Sequence, residues 1–73
     1  PTFTEGHYRL GLLYEESGEP AKAIAQYEIA VAQRSDFSQA HYHLARLYQK
    51  SGKRELAQKE FALLKSLKAQ QKP

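Results

Sequence analysis

The chain has 73 residues, a formal net charge of +3 and no cysteine. This length allows one small domain and excludes a two-domain enzyme with an interdomain cleft, and the lack of cysteine excludes disulfides and thiolate chemistry. No apolar run approaches the roughly 20 residues that a membrane-spanning helix needs, and nothing resembles a secretory signal. Because the chain starts with Pro1 and not with Met, we expect it to be processed or excised, and to be soluble and cytoplasmic by default.

Four amphipathic helices are predicted, at about residues 3–17, 20–34, 37–51 and 54–70, because apolar residues recur there every three to four positions. Nothing in the sequence predicts a strand, so the expected fold class is all-α. Tyr27 and Phe61 are the aromatic residues expected in the cores of the two hairpins. The four apolar stripes consist of Leu10, Gly11, Leu13 and Tyr14; Ala23, Ile24, Tyr27, Ala30 and Val31; Leu44, Ala45, Leu47 and Tyr48; and Leu56, Ala57, Phe61, Leu64 and Leu67.

Helix-breaking residues separate the stripes. Gly18 and Gly52 follow serines and are suited to the left-handed backbone that ends many helices. Pro20 suits the first turn of the second helix, where a missing N–H costs nothing. Capping-box spacing is present in two pairs, Thr2 with Glu5 and Asp36 with Gln39.

The sequence repeats itself at an offset of 34 residues. Self-similarity at a fixed period of this size is typical of solenoid proteins, in which each unit buries its face on its neighbour. The identical pairs are Phe3/Phe37, His7/His41, Tyr8/Tyr42, Leu10/Leu44, Leu13/Leu47, Tyr14/Tyr48, Ser17/Ser51, Gly18/Gly52 and Ala23/Ala57.

This pattern resembles the tetratricopeptide repeat, a 34-residue helix–turn–helix unit. The residues that carry the resemblance are Leu10, Gly11, Tyr14, Gly18, Ala23, Tyr27 and Ala30 in the first unit and Leu44, Ala45, Tyr48, Gly52, Ala57 and Phe61 in the second. The resemblance implies a single domain over 1–73, with units 4–37 and 38–71 forming a short right-handed α-solenoid of two hairpins. Three departures from the family pattern are the absence of the usual proline near positions 35 and 69, histidines at positions 7 and 41, and Leu64 in place of a small residue.

The resemblance also implies a concave groove, lined by the first helix of each unit, that binds a peptide or a partner helix. The implied groove residues are Glu5, Tyr8, Leu12, Glu15 and Glu16 in the first unit and Gln39, Tyr42, Arg46, Gln49 and Lys50 in the second. The subclass that binds chaperone C-terminal carboxylates has Lys and Asn where this chain has Tyr8 and Leu12, so that ligand is not expected.

Catalysis, metal binding and cofactors are not expected. His41 and His43 are two residues apart and point to different sides of a helix, so they cannot share a metal ion. We therefore predict that His7 and His41 are half-buried packing residues and that His43 is a surface residue. Asp36, the only aspartate, is placed as a cap, and no nucleophile motif or glycine-rich phosphate loop is present.

Charge is divided unequally between the two units. Residues 1–37 carry a net charge of −3 and residues 38–73 a net charge of +6. An alternative function is therefore self-assembly, in which chains stack head to tail and bring acidic and basic units together. The residues expected at such a contact are Phe3, His7, Leu10, Phe61, Leu64 and Leu67.

Nucleic-acid binding is not favoured, because Glu55 and Glu60 interrupt the basic residues of the last helix.

Overall fold

The structure, a computed structural model, describes residues 3–70 as four α-helices. They are α1 (Thr4–Glu16), α2 (Pro20–Gln33), α3 (Ser38–Lys50) and α4 (Arg54–Gln70). Helix α1 packs on α2, α3 packs on α4, and α2 joins the two hairpins by packing on α3. The described residues contain no strand, so the predicted all-α fold of two helical hairpins is confirmed, and each helix boundary lies within one residue of its predicted position. None of these helices combines the length and the hydropathy needed to cross a membrane.

The turns within the two hairpins have the same geometry. Gly18 and Gly52 adopt φ values of 75° and 80°, which only glycine adopts without strain. After each glycine, the next backbone N–H donates to a tyrosine carbonyl one helical turn back, at 2.8 Å in both hairpins. In each hairpin, this hydrogen bond satisfies a carbonyl that the helix end would otherwise leave free. Pro20 opens α2 at its first turn, as predicted.

The predicted capping box of Asp36 with Gln39 is wrong. Helix α3 starts at Ser38, its N-cap residue is Phe37, and no side chain caps the helix. Phe37 is only 4% exposed; burying an aromatic ring of that size is worth about 1.5–3 kcal/mol, against about 1 kcal/mol for a side-chain cap. Packing of the ring therefore fixes where the helix begins. Phe3 occupies the same position before α1, and Thr2, the other predicted cap, lies outside the described residues.

The core lies mainly between α2 and α3. Tyr27 and Leu44 are its largest fully buried side chains. The buried apolar residues are Ala23, Ile24, Tyr27 and Ala30 of α2; Phe37; Ala40, Leu44, Ala45, Leu47 and Tyr48 of α3; and Ala57 of α4.

The prediction that Phe61 lies in a hairpin core is wrong, because its side chain is 38% exposed. Tyr14, a member of the predicted apolar stripe of the first helix, is only partly buried and packs against the core. The outer helices account for both differences: α1 packs mainly on α2 and α4 packs on α3, whereas α2 and α3 each have a helix packed on two sides. A position can therefore follow the repeat pattern and still face solvent in an outer helix.

Candidate partner-binding groove

The predicted groove residues lie along α1 and α3 at spacings of three and four. Such spacing places Glu5, Tyr8 and Leu12 on one side of α1. These three residues line a surface cleft of about 420 Å³ together with Gln39 at the start of α3. The structure thus brings together four of the ten predicted groove residues in one cleft.

Three residues of this cleft were not predicted: Arg9, Arg34 and Phe37. The ring of Phe37 lies beside that of Tyr8, with centroids 4.9 Å apart, and the guanidinium of Arg34 lies 4.0 Å from the centroid of the Phe37 ring. A cation over an aromatic face is attracted by the negative charge density of the ring. The aromatic part of the cleft is therefore flanked by a positive charge. The identity of Phe3 and Phe37 in the repeat alignment was the signal that could have identified this position.

A cluster of rings around His43 lies at the centre of the α1, α2 and α3 packing. The His43 ring stacks on Tyr27, with centroids 5.3 Å apart and an angle of 19° between the planes. The same ring also meets the rings of Tyr8 and Tyr42. The prediction that His43 is a surface residue is wrong, because its side chain is only 21% exposed.

Glu15 connects the three helices at this cluster. Its carboxylate lies 3.1 Å from Nδ1 of His43 and accepts a hydrogen bond of 3.3 Å from the hydroxyl of Tyr27. Burial and the neighbouring carboxylate together raise the pKa of Tyr27, so this tyrosine stays protonated. Glu15, predicted to line the groove, has its carboxylate engaged in holding helices together.

The second half of the predicted groove is more exposed. Tyr42 is 48% exposed, and the guanidinium of Arg46 lies 5.7 Å from its ring centroid. Glu16, Gln49 and Lys50 are also exposed. The side chains free to meet a partner are therefore an aromatic ring and charges of both signs.

The two other histidines bind the second helix of their own hairpin. Nδ1 of His7 lies 2.7 Å from the amide oxygen of Gln26. His41 is buried, with its ring nitrogens close to the carboxylate of Glu60 and the carbonyl of Ser35. His7 is half-buried, as predicted, whereas His41 is buried and not half-buried as predicted. Within residues 3–70, no group of three or more histidine, aspartate or glutamate residues is placed to hold a metal ion.

The residues predicted for a head-to-tail contact lie at the outer helices. Phe3 and Leu10 are exposed, by 69% and 37%, whereas His7 is half-buried and turned toward α2. On α4, Leu64 and Leu67 are half-buried.

Two hairpins related by a constant sequence offset, each packing on the next, define a helical-repeat protein. The family model described as tetratricopeptide repeat matches residues 7–73. Because this match covers nearly the whole chain, the chain belongs to the tetratricopeptide repeat family. The search of curated proteins and the search of solved structures gave no match. Family membership indicates a protein–protein interaction module, and repeats of this family are in general non-catalytic.

Proposed function

We propose that the chain binds a peptide or a partner helix in the groove formed by α1 and α3, without catalysing a reaction. The observation that carries this proposal is the cleft of about 420 Å³ in which Tyr8 and Phe37 meet side chains of both hairpins. A cleft with an aromatic wall and a few polar groups is the usual form of a site that accepts an apolar side chain.

The charges around the cleft favour a partner that carries both signs. Glu5, Arg9 and Arg34 are exposed and line the cleft itself. Elsewhere in the predicted groove, Glu16 of α1 and the cations Arg46 and Lys50 of α3 are exposed. Complementary charges give register and specificity more than affinity. The expected partner segment therefore has one apolar anchor flanked by residues of both charges.

A displayed library of random peptides, selected on the 73-residue chain, tests this proposal. Selected peptides should contain an apolar anchor with neighbouring charges, and in NMR spectra they should shift the amide signals of the groove residues. Leu12→Ala, which removes apolar surface from the cleft, should weaken a selected peptide by about fivefold or more. Tyr42→Ala and Arg46→Glu, elsewhere in the predicted groove, should have an effect of similar size, because aromatic and arginine side chains dominate binding energy at interfaces.

Two matched variants control for general effects. Ile29 is 38% exposed on α2 and is absent from the predicted groove, so Ile29→Ala is matched to Tyr42→Ala. Lys59→Glu reverses an exposed charge on α4 and is matched to Arg46→Glu. Peptides that shift only the amide signals of residues outside the groove would contradict the proposal, as would peptides that bind the groove variants and the control variants with equal affinity.

A further inference from the structure

The second hairpin carries an open cleft where the first hairpin holds a neighbouring helix. This cleft, of about 350 Å³, is lined by Gln49, Arg54, Ala57, Gln58 and Phe61. At an offset of 34, the same positions in the first hairpin are Glu15, Pro20, Ala23, Ile24 and Tyr27. Among these, Ala23, Ile24 and Tyr27 are buried in the core that α2 shares with α3. The cleft on α4 is thus the second hairpin's equivalent of the surface on which α3 packs.

Helix α1 has the complementary surface, also uncovered among residues 3–70. Phe3, Leu10 and Leu13 are 69%, 37% and 58% exposed. Their equivalents in the second hairpin, Phe37, Leu44 and Leu47, are 4%, 1% and 7% exposed. The apolar residues that bury α3 on α2 are therefore repeated on α1 and are exposed there.

We propose that two copies of this chain associate head to tail, with α1 of one copy packed on α4 of the other as α3 packs on α2. The contact continues an interface that the chain already contains. It joins two different surfaces, so each added copy leaves one cleft and one apolar face open, and assembly extends to a ring or a fibre and does not stop at a two-fold dimer.

Charge at the contact favours a second copy as the occupant. At the interface within the chain, Glu15 and Pro20 line a small pocket together with Leu47 and Lys50. The offset of 34 places Gln49 and Arg54 of one copy beside Leu13 and Glu16 of the next. Within the chain, Glu15 and Lys50 have opposite charges. Their equivalents between copies are Gln49 and Glu16, and the charge opposite to that of Glu16 is supplied by Arg54, the equivalent of Pro20.

The ring stacking within the chain also has an equivalent. His43 stacks on Tyr27, and the corresponding pair between copies is Arg9 over Phe61. A guanidinium over an aromatic face is a favourable contact. One hydrogen bond is lost. Within the chain, Tyr48 donates to Glu28, but the equivalent residues between copies are Tyr14 and Ala62, and Ala62 has no side-chain acceptor. The association is therefore weaker than packing within the chain and depends on concentration.

Sedimentation velocity over a wide concentration range, at low and high salt, tests the proposal. The chain should form a continuous series of oligomers that shifts toward monomer at high salt. Arg54→Glu and Glu16→Arg should each lower the association constant by about fivefold or more, because each replaces an attraction by a repulsion. The double variant carrying both changes should recover most of the association, since it restores opposite charges at every contact.

Two further variants separate this contact from general effects. Lys59→Glu makes the same charge change as Arg54→Glu on the same helix but outside the cleft, and it should leave the association unchanged. Leu13→Ser should abolish the association with an unchanged circular dichroism spectrum, because Leu13 is 58% exposed in the single chain. A monomer at all concentrations in low salt, a series that stops at a dimer, or equal effects of Lys59→Glu and Arg54→Glu would overturn the proposal.

Discussion

At the scale of single residues, the close contact between Gly11 and Tyr27 sets how α1 approaches α2. Gly11 is buried, and a β-carbon at this position would lie 2.6 Å from the Tyr27 ring. The glycine is therefore needed for its lack of a side chain, since it adopts ordinary helical backbone. The family resemblance indicated a small residue here, but only the structure identifies the ring that requires it.

Gly11→Ala should lower the free energy of unfolding by about 1–3 kcal/mol, because overpacking displaces a fully buried ring. Gly6→Ala in the same helix is the control. A β-carbon at Gly6 would lie 3.7 Å from the β-carbon of Phe3, an ordinary van der Waals contact, and alanine is favoured over glycine in helices by up to about 1 kcal/mol. Urea unfolding followed by circular dichroism should show opposite signs for the two variants. A stabilised Gly11→Ala variant would contradict this account of the contact.

Residue-scale errors in the sequence interpretation have a common physical origin. His43 was predicted to face solvent because it lies two residues from His41, on a different side of the helix. Its partners Glu15 and Tyr27 lie 28 and 16 residues away in sequence. No spacing rule within a helix predicts such a contact. The role of Phe37 as the N-cap residue of α3 was not predicted, for a related reason. Asp36, the residue before it, fits a capping pattern, whereas burial of the Phe37 ring decides where α3 begins.

At the scale of elements, the helices and turns could be predicted almost completely. Helix ends depend on local chemistry, and the serine–glycine pairs and Pro20 supply it within a few residues. Which helices are covered could not be predicted, because that depends on how many neighbours each helix has. Phe61 and Tyr27 occupy equivalent positions, but α4 packs on one helix and α2 on two.

Gly52→Ala should destabilise the chain by about 1–2 kcal/mol, because a residue with a β-carbon is strained at the φ of 80° found there. Gly52→Asn should cost less, since asparagine tolerates the left-handed region better. A β-carbon at Gly52 would meet no atom within 4 Å, so backbone strain is the only expected cause. Thermal unfolding of both variants measures the difference, and equal loss in the two would point to a cause other than backbone conformation.

At the scale of the whole molecule, two buried tyrosines join neighbouring helices through carboxylates, Tyr27 within the first hairpin and Tyr48 between the two hairpins. Tyr27 donates to Glu15, and Tyr48 of α3 donates to Glu28 of α2 at 2.6 Å. Burial, followed by the contact with a carboxylate, raises the pKa of both phenols above the ordinary value of 10.0. The packing of the hairpins therefore depends on these groups remaining neutral.

This dependence predicts a loss of stability at alkaline pH. The stabilisation that the two neutral tyrosines provide is complete below about pH 10, the ordinary tyrosine pKa. It is lost progressively above that pH, because the unfolded chain then releases protons that the folded chain retains. Urea unfolding at a series of pH values from neutral to about 11 measures the effect. Tyr27→Phe should make this loss less steep, whereas Tyr42→Phe, at an exposed tyrosine, should leave it unchanged. The same pH dependence in both variants would show that other groups are responsible.

Phe37 contributes both to the core and to the groove floor. A substitution there changes ligand affinity and folding stability together, so the two properties cannot be optimised independently at this site. Engineering of new binding specificities should therefore diversify Tyr42 and Arg46, whose side chains are exposed and lie outside the buried core, and keep position 37 constant.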